Sequence, residues 1–312
     1  MGSPPARFGS VVTAMVTPFD DAGALDVDGA ARLARVLAAQ GSDGLVVAGT
    51  TGESPVLSDR ELGDLWRAVA EAVTVPVIAG TGTNDTRHSI ELSRLAADAG
   101  VDGLLVVTPY YSRPPQSGLF EHFSAVARAT DLPVLLYDIP VRTGRRIDPD
   151  VILRLARDVP NIVGVKDATG DLAGAARLVA AADAGFQLYC GDDALTLPFV
   201  AVGAVGVVSV AGNWAGEEMG ELVAAAARGE LDAAQAANAR LLESYAFQSS
   251  EVFPNPLPAK AACRVLGLPA GQCRPPLGAA PAELEDRARL MLAHLGREVP
   301  APAGAGTGGP LA

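Results

Sequence analysis

Lysine is almost missing from this chain. Of 24 basic residues in 312, only Lys166 and Lys260 are lysine and the rest are arginine. Arginine stays protonated at any reachable pH, whereas a desolvated lysine can shed its proton and become a nucleophilic amine. Cysteine and histidine are as sparse, at three residues each. Cys190, Cys263 and Cys273 form no CxxC pair and are odd in number, which argues against a disulfide framework and for a reducing compartment. His88, His122 and His294 fall in helical patterns and read as surface or packing residues. No His/Asp/Glu group has metal-ligand spacing, and Asp192 with Asp193 carries little weight as a Mg²⁺ site. No metal and no cofactor are expected. The net charge of −12 argues against nucleic acid or an anionic membrane as the main partner. No apolar run reaches the ~18–20 residues of a membrane span, and Met1–Gly9 lacks the charged-then-apolar order of a secretory signal. The expected location is cytoplasmic.

Short apolar runs alternate with amphipathic stretches at a regular beat. The runs are Ser10–Val16, Gly44–Ala48, Val75–Ala79, Gly103–Val107, Pro133–Tyr137, Ile162–Val165, Phe186–Cys190 and Gly206–Val210. They are rich in Val, Ile and Leu on both faces, as strands of a covered parallel sheet are. Helical patterns lie between them at Asp28–Ala39, Asp59–Ala72, Thr86–Ala99, Ser117–Ala129, Asp148–Arg157 and Leu172–Ala182. Ser58 and Asp148 stand where N-caps belong. About eight strand–helix units in roughly 230 residues predict an α/β fold, a (β/α)₈ TIM barrel. No GxGxxG follows the first strand, which argues against a doubly wound dinucleotide fold. After Gly229 the beat changes to helices alone, at Asp232–Tyr245, Pro258–Leu266 and Ala282–Leu295. The expected organisation is a barrel over 9–228, a small C-terminal helical appendage over 229–297 and a disordered tail over 298–312.

In a parallel barrel the chemistry sits at the carboxyl ends of the strands. Those ends carry Gly49-Thr50-Thr51-Gly52-Glu53-Ser54, then Thr108-Pro109-Tyr110-Tyr111, then Tyr137 to Gly144 with Arg142 on the following loop. Lys166 ends the sixth strand, Cys190-Gly191-Asp192-Asp193 the seventh, and Ser209 to Asn213 the eighth. Glycine-flanked hydroxyls allow close backbone approach to an anion, though a plain tight turn would look the same. Arg142 can clamp a carboxylate in a fork, or be one more surface arginine. A lysine ending an apolar strand is a candidate Schiff-base former, or a lysine whose head reaches solvent. A mouth with one lysine, tyrosines, threonines, an arginine and no histidine suits lysine–carbonyl chemistry with a phenol as proton carrier.

With these motifs in this order, from about Gly9 to Leu295, the chain resembles the N-acetylneuraminate lyase superfamily of Schiff-base aldolases and synthases. Within it, the chain is most similar to the dihydrodipicolinate synthase family. The resemblance also draws on Gly-Val-Lys-Asp-Ala-Thr-Gly at 164–170, Gly-Val-Val-Ser-Val at 206–210 and Asn-Pro-Leu-Pro-Ala-Lys at 255–260. It implies that Lys166 forms an imine with pyruvate, with Tyr137 as the proton donor and acceptor. Thr51 would link Tyr137 to a Tyr111 supplied by a neighbouring subunit, making the active form a homo-oligomer, at least a dimer and usually a tetramer. Thr50 and Thr51 would hold the pyruvate carboxylate, and Arg142 the carboxylate of L-aspartate-4-semialdehyde. The main chain near Val208 would face the imine, and that near Gly191 the second substrate. The alternative within the superfamily is an aldolase for N-acetylneuraminate or a 2-keto-3-deoxy sugar acid. Arg142 with the threonine pair suits a short carboxylated aldehyde better than a polyol. A paralogue that only senses a keto acid would not need the whole set. Asp59, Leu62 and His88 depart from the family's lysine-effector pattern while Asn84 and Tyr110 keep it, so weak or absent feedback inhibition by lysine is expected. Asp138, where many members carry Asn, is expected to change little. Lys260 falls in the appendage and is expected to take no part in imine chemistry.

Overall fold

Eight parallel strands close into a barrel in chain order. They are β1 (Val11–Ala14), β2 (Gly44–Val47), β3 (Val77–Gly80), β4 (Gly103–Val107), β5 (Val134–Asp138), β6 (Ile162–Asp167), β7 (Gln187–Cys190) and β8 (Gly206–Ser209). The ring is sealed where Val12 of β1 pairs with Val208 of β8. The computed structural model describes residues 5–299. All but the first two residues of the expected tail, 298–312, lie outside that range.

The strands are apolar on both faces because both faces are buried. Successive side chains alternate, and the two sets separate cleanly. Phe8, Val12, Val46, Ile78, Leu105, Leu135, Tyr189 and Val208 fill the barrel. Their neighbours Val11, Leu45, Val77, Leu104, Val134, Leu136 and Val207 pack outward under the helices. Those helices are α1 (Val27–Ala39), α2 (Asp59–Ala72), α3 (Thr86–Asp98), α4 (Gln116–Ala127), α5 (Pro140–Thr143), α6 (Pro149–Asp158), α7 (Leu172–Ala181), α8 (Thr196–Ala201) and α9 (Gly212–Ala227). Three further helices follow: α10 (Leu231–Phe247), α11 (Leu257–Val265) and α12 (Ala282–His294). α10 packs along α9, and α12 packs on α10 and α11. Trp214 joins the two regions, donating its indole N–H to Ser244 Oγ at 3.1 Å. Among the described residues no helix is long and apolar enough to cross a membrane.

Most element boundaries fall within two residues of the sequence reading, and the differences have physical causes. β6 does not stop at Val165; Lys166 and Asp167 continue its ladder against β5 and β7. Strand pairing uses the backbone, so charge in the side chain does not end it. α5, α8 and α9 were not among the expected helices. α9 opens Gly-Asn-Trp-Ala-Gly and is kinked at Ala215, so its periodicity is broken. Gly216 is needed there, because a Cβ would lie 2.4 Å from the Gln40 carbonyl oxygen at the end of α1. Ser58 caps α2 in a full capping box with Glu61. Asp148 precedes α6 as expected but its side chain makes no capping bond.

Candidate active site

The mouth is built from the ends of the strands. β5 and β6 lie in a register that pairs Tyr137 with Lys166, and β7 places Tyr189 on the other side of the lysine. The period of two puts Gly164 and Lys166 on the same, inward face. Gly164 has no room for a side chain, since a Cβ would lie 2.2 Å from the Gln187 carbonyl oxygen. Lys166 is 5% exposed, and its Nζ lies 4.2 Å from the centroid of the Tyr137 ring. Its ladder neighbours Asp138 and Asp167 alternate to the outer side and are bonded there. Asp138 Oδ2 accepts from the Ile147 N–H at 3.2 Å, and Asp167 Oδ1 from the Thr169 N–H at 2.8 Å. The amine is therefore packed against a ring face in an apolar barrel, the setting in which a lysine serves as a nucleophile. Burial holds the Asp138 carboxyl up at about 7.

A cavity of 310 Å³ opens over this pair, walled by Thr50, Tyr110, Tyr137, Arg142, Asn255 and Leu277 among others. Tyr137 is on its wall and Lys166 is not. Thr50 faces the cavity, whereas Thr51 is buried and its hydroxyl accepts from Asn255 Nδ2 at 2.9 Å. Within the described chain Thr51 is thus tied to the C-terminal region through Asn255. Arg142 sits on α5 at the cavity rim and donates only a long bond, 3.4 Å, to the Asn255 carbonyl. No carboxylate among the described residues pairs with it, so its guanidinium edge is free to fork an incoming anion. Val208 is buried in the barrel interior with Tyr137 and Tyr189. Gly191 follows β7, donating to the Asp167 carbonyl at 2.7 Å. Tyr111 is 91% exposed and is not among the residues that wall the cavity.

A second cavity, of 160 Å³, lies beside the first and shares Tyr110 with it. Asp59, Leu62, Asn84 and His88 line it, and His88 Nε2 meets Asp59 Oδ1 at 3.0 Å. His122 is buried in packing, its Nδ1 bonded to Thr86 Oγ1, and burial pulls it down to about 4.

Sequence reasoning assigned no role to Asn255, Glu53 or Arg274, which the fold brings to the same mouth. The motif at 255–260 was visible, but its residues lie some two hundred positions from the turn they contact, and nothing local signals that meeting. Lys260 is on α11 as expected, yet it is fully buried and ion-paired with Glu53 rather than lying apart from the barrel.

A closed parallel barrel with its polar groups gathered at the carboxyl ends of the strands is a (β/α)₈ barrel enzyme. Residues 7–295 match the model of the dihydrodipicolinate synthetase family, and the chain belongs to that family. It is 52% identical over 296 residues to a 4-hydroxy-tetrahydrodipicolinate synthase from Acidothermus cellulolyticus, covering 94% of both chains. It is 50% identical to the synthase of that name from Moorella thermoacetica, covering 93% of this chain and 99% of the other. Among solved structures it resembles the enzyme from Cyanidioschyzon merolae with lysine bound, with a TM-score of 0.88 at 43% identity, over 93% of this chain and 98% of that one.

Proposed function

We propose that the protein is a lyase that condenses pyruvate with L-aspartate-4-semialdehyde to 4-hydroxy-tetrahydrodipicolinate, in lysine and diaminopimelate biosynthesis. The observation that carries this reading is the contact between Lys166 Nζ and the Tyr137 ring, 4.2 Å apart at the mouth of the barrel. The relatives' shared name supplies the substrates. Lys166 attacks the ketone carbon of pyruvate, and Tyr137 donates the proton with which the former carbonyl oxygen leaves as water. The resulting imine draws electrons from the methyl carbon, whose proton is lost to give an enamine. That carbon adds to the aldehyde. The substrate's own amine then displaces Lys166 from the imine carbon, closing the six-membered ring and freeing the enzyme. Thr50 and Thr51 hold the pyruvate carboxylate, and Arg142 takes the carboxylate of the aldehyde substrate. The main chain at Val208 faces the imine, and that at Gly191 the second substrate.

The barrel over 9–228 and the helices over 229–297 act as two units of one subunit. Tyr111 completes the site of a second copy, which makes the working form a dimer or a tetramer. The three cysteines are all buried and unpaired, which supports work in the reducing cytoplasm.

The test is reduction with borohydride in the presence of pyruvate, followed by mass mapping. Lys166 gains the reduced pyruvyl mass and Lys260 does not; an unlabelled Lys166 overturns the reading. A coupled assay with aspartate semialdehyde beside N-acetylneuraminate then separates the synthase from the aldolases.

A further inference from the structure

A buried ion pair that the chemistry above does not use lies where the C-terminal helices meet the turn after β2. Glu53 is 3% exposed and holds a left-handed backbone, φ 57° and ψ 35°. A non-glycine residue keeps that conformation only where its surroundings over-determine it. Here they do. Glu53 Oε1 lies 2.7 Å from Lys260 Nζ, and Oε2 accepts from the Arg274 N–H at 2.9 Å. Its own N–H donates to the Thr50 carbonyl at 3.1 Å. Lys260, with none of its surface exposed, also donates to the Gln272 carbonyl at 2.9 Å, and its ammonium lies 4.0 Å over the Phe19 ring. Asn255, on the same C-terminal segment, bonds Thr51.

Three of these ties, Lys260 to Glu53, Arg274 to Glu53 and Asn255 to Thr51, run from the C-terminal region to the short turn that carries Thr50 and Thr51. A buried ion pair adds little stability over an apolar pair of the same shape. It does fix geometry, because a desolvated carboxylate can be satisfied in one place only. We propose that Lys260 is a positioning residue for the reaction above. Paired with Glu53, it sets the 49–54 turn and so the threonine hydroxyls that hold the pyruvate carboxylate. The C-terminal helices are then part of the site. This inference rests on the functional reading just given.

The experiment starts with the parent enzyme, pyruvate and borohydride. An absent adduct on Lys166 refutes the functional reading, and this inference with it. With the adduct in hand, two variants are compared in steady-state kinetics. Glu53→Asp keeps the charge but withdraws the carboxylate by one methylene. The double variant Glu53→Gln/Lys260→Met removes both charges at similar volume, which spares the fold. Each is expected to raise KM for pyruvate about tenfold or more while KM for the aldehyde stays within about twofold, since small misplacements of binding groups have effects of this size. A parent-like pyruvate KM in a folded variant overturns the positioning role and leaves the function intact. A fall in kcat with both KM values unchanged does the same. Should the double variant not fold, Glu53→Asp decides by the same criteria.

Discussion

Lys166 and Tyr137 face each other across adjacent parallel strands, with the ammonium 4.2 Å from the centre of the phenol ring. Ladder register fixes this contact, since the two residues are paired Cα to Cα between β5 and β6. The phenol ring is therefore held beside the nitrogen at which the proposed imine would form, and the roles of the two can be separated. Tyr137→Phe keeps the ring and removes only the hydroxyl. It is expected to lower kcat about 10²- to 10³-fold, the usual contribution of a placed proton carrier. Slow borohydride trapping of pyruvate on Lys166 should survive, while Lys166→Ala loses trapping altogether. Unaltered kcat in Tyr137→Phe would remove the phenol from the mechanism.

Asp138, the next residue along β5, is 2% exposed. Burial raises its carboxyl to about 7, opposed by the Ile147 N–H bond and reinforced by the charge of Asp167. The ordinary aspartate value is near 4, so between about pH 4 and 7 the folded chain binds a proton that the unfolded chain has released. Stability from this group therefore falls as pH rises through that window, and the whole penalty is present above it. Asparagine has no charge to bury. Asp138→Asn is expected to melt above the parent at pH 8, with the gap closing toward pH 4 and never exceeding a few kcal/mol in order of magnitude. Thermal melts of both proteins across that range test this, and equal melting at pH 8 would count against it. Position 138 is thus less neutral than the aspartate–asparagine likeness suggests.

The barrel was legible because its strands are buried on both faces and its helices on one, so burial writes itself into short periods. The lysine was legible by its rarity, and the mouth by where strands end. What could not be read was contact at long range. The turn at 49–54 announces glycine and hydroxyl, yet nothing near it says that Asn255, Lys260 and Arg274 close over it. Thr50 and Thr51 are neighbours in sequence, bracketed by the left-handed residues Ala48 and Glu53, and Thr50 lines the cavity while Thr51 meets it through Asn255. Side-chain direction inside such a turn depends on backbone angles that composition does not encode.

The second cavity bears on regulation. Asp59 and His88 both line it, and they satisfy each other at 3.0 Å. A cationic ligand entering this space would compete with His88 for the Asp59 carboxylate. Titrating L-lysine into the coupled assay is expected to leave activity nearly unchanged at sub-millimolar concentration. Strong inhibition in that range would show that Asn84 and Tyr110, which also line the cavity, suffice without the rest.

Tyr111 is the mouth residue least at home in its own subunit. It holds φ at 69°, a left-handed conformation uncommon for a bulky side chain, and 91% of its surface is exposed. A phenol held outward in a strained backbone suits service in another copy. Mixing inactive variants tests this directly. Lys166→Ala supplies Tyr111 without the nucleophile, and Tyr111→Phe supplies the nucleophile without the hydroxyl. If Tyr111 acts across a two-fold interface, half of randomly reassorted dimers are mixed and each mixed dimer holds one intact site. About a quarter of the parent activity should then return on subunit exchange. If Tyr111 serves its own chain, neither partner can complete the other and no activity returns. Native mass spectrometry of the mixture, run in parallel, resolves the mixed dimers by the mass difference between the two variants, so a null result with mixed dimers present rejects the shared site.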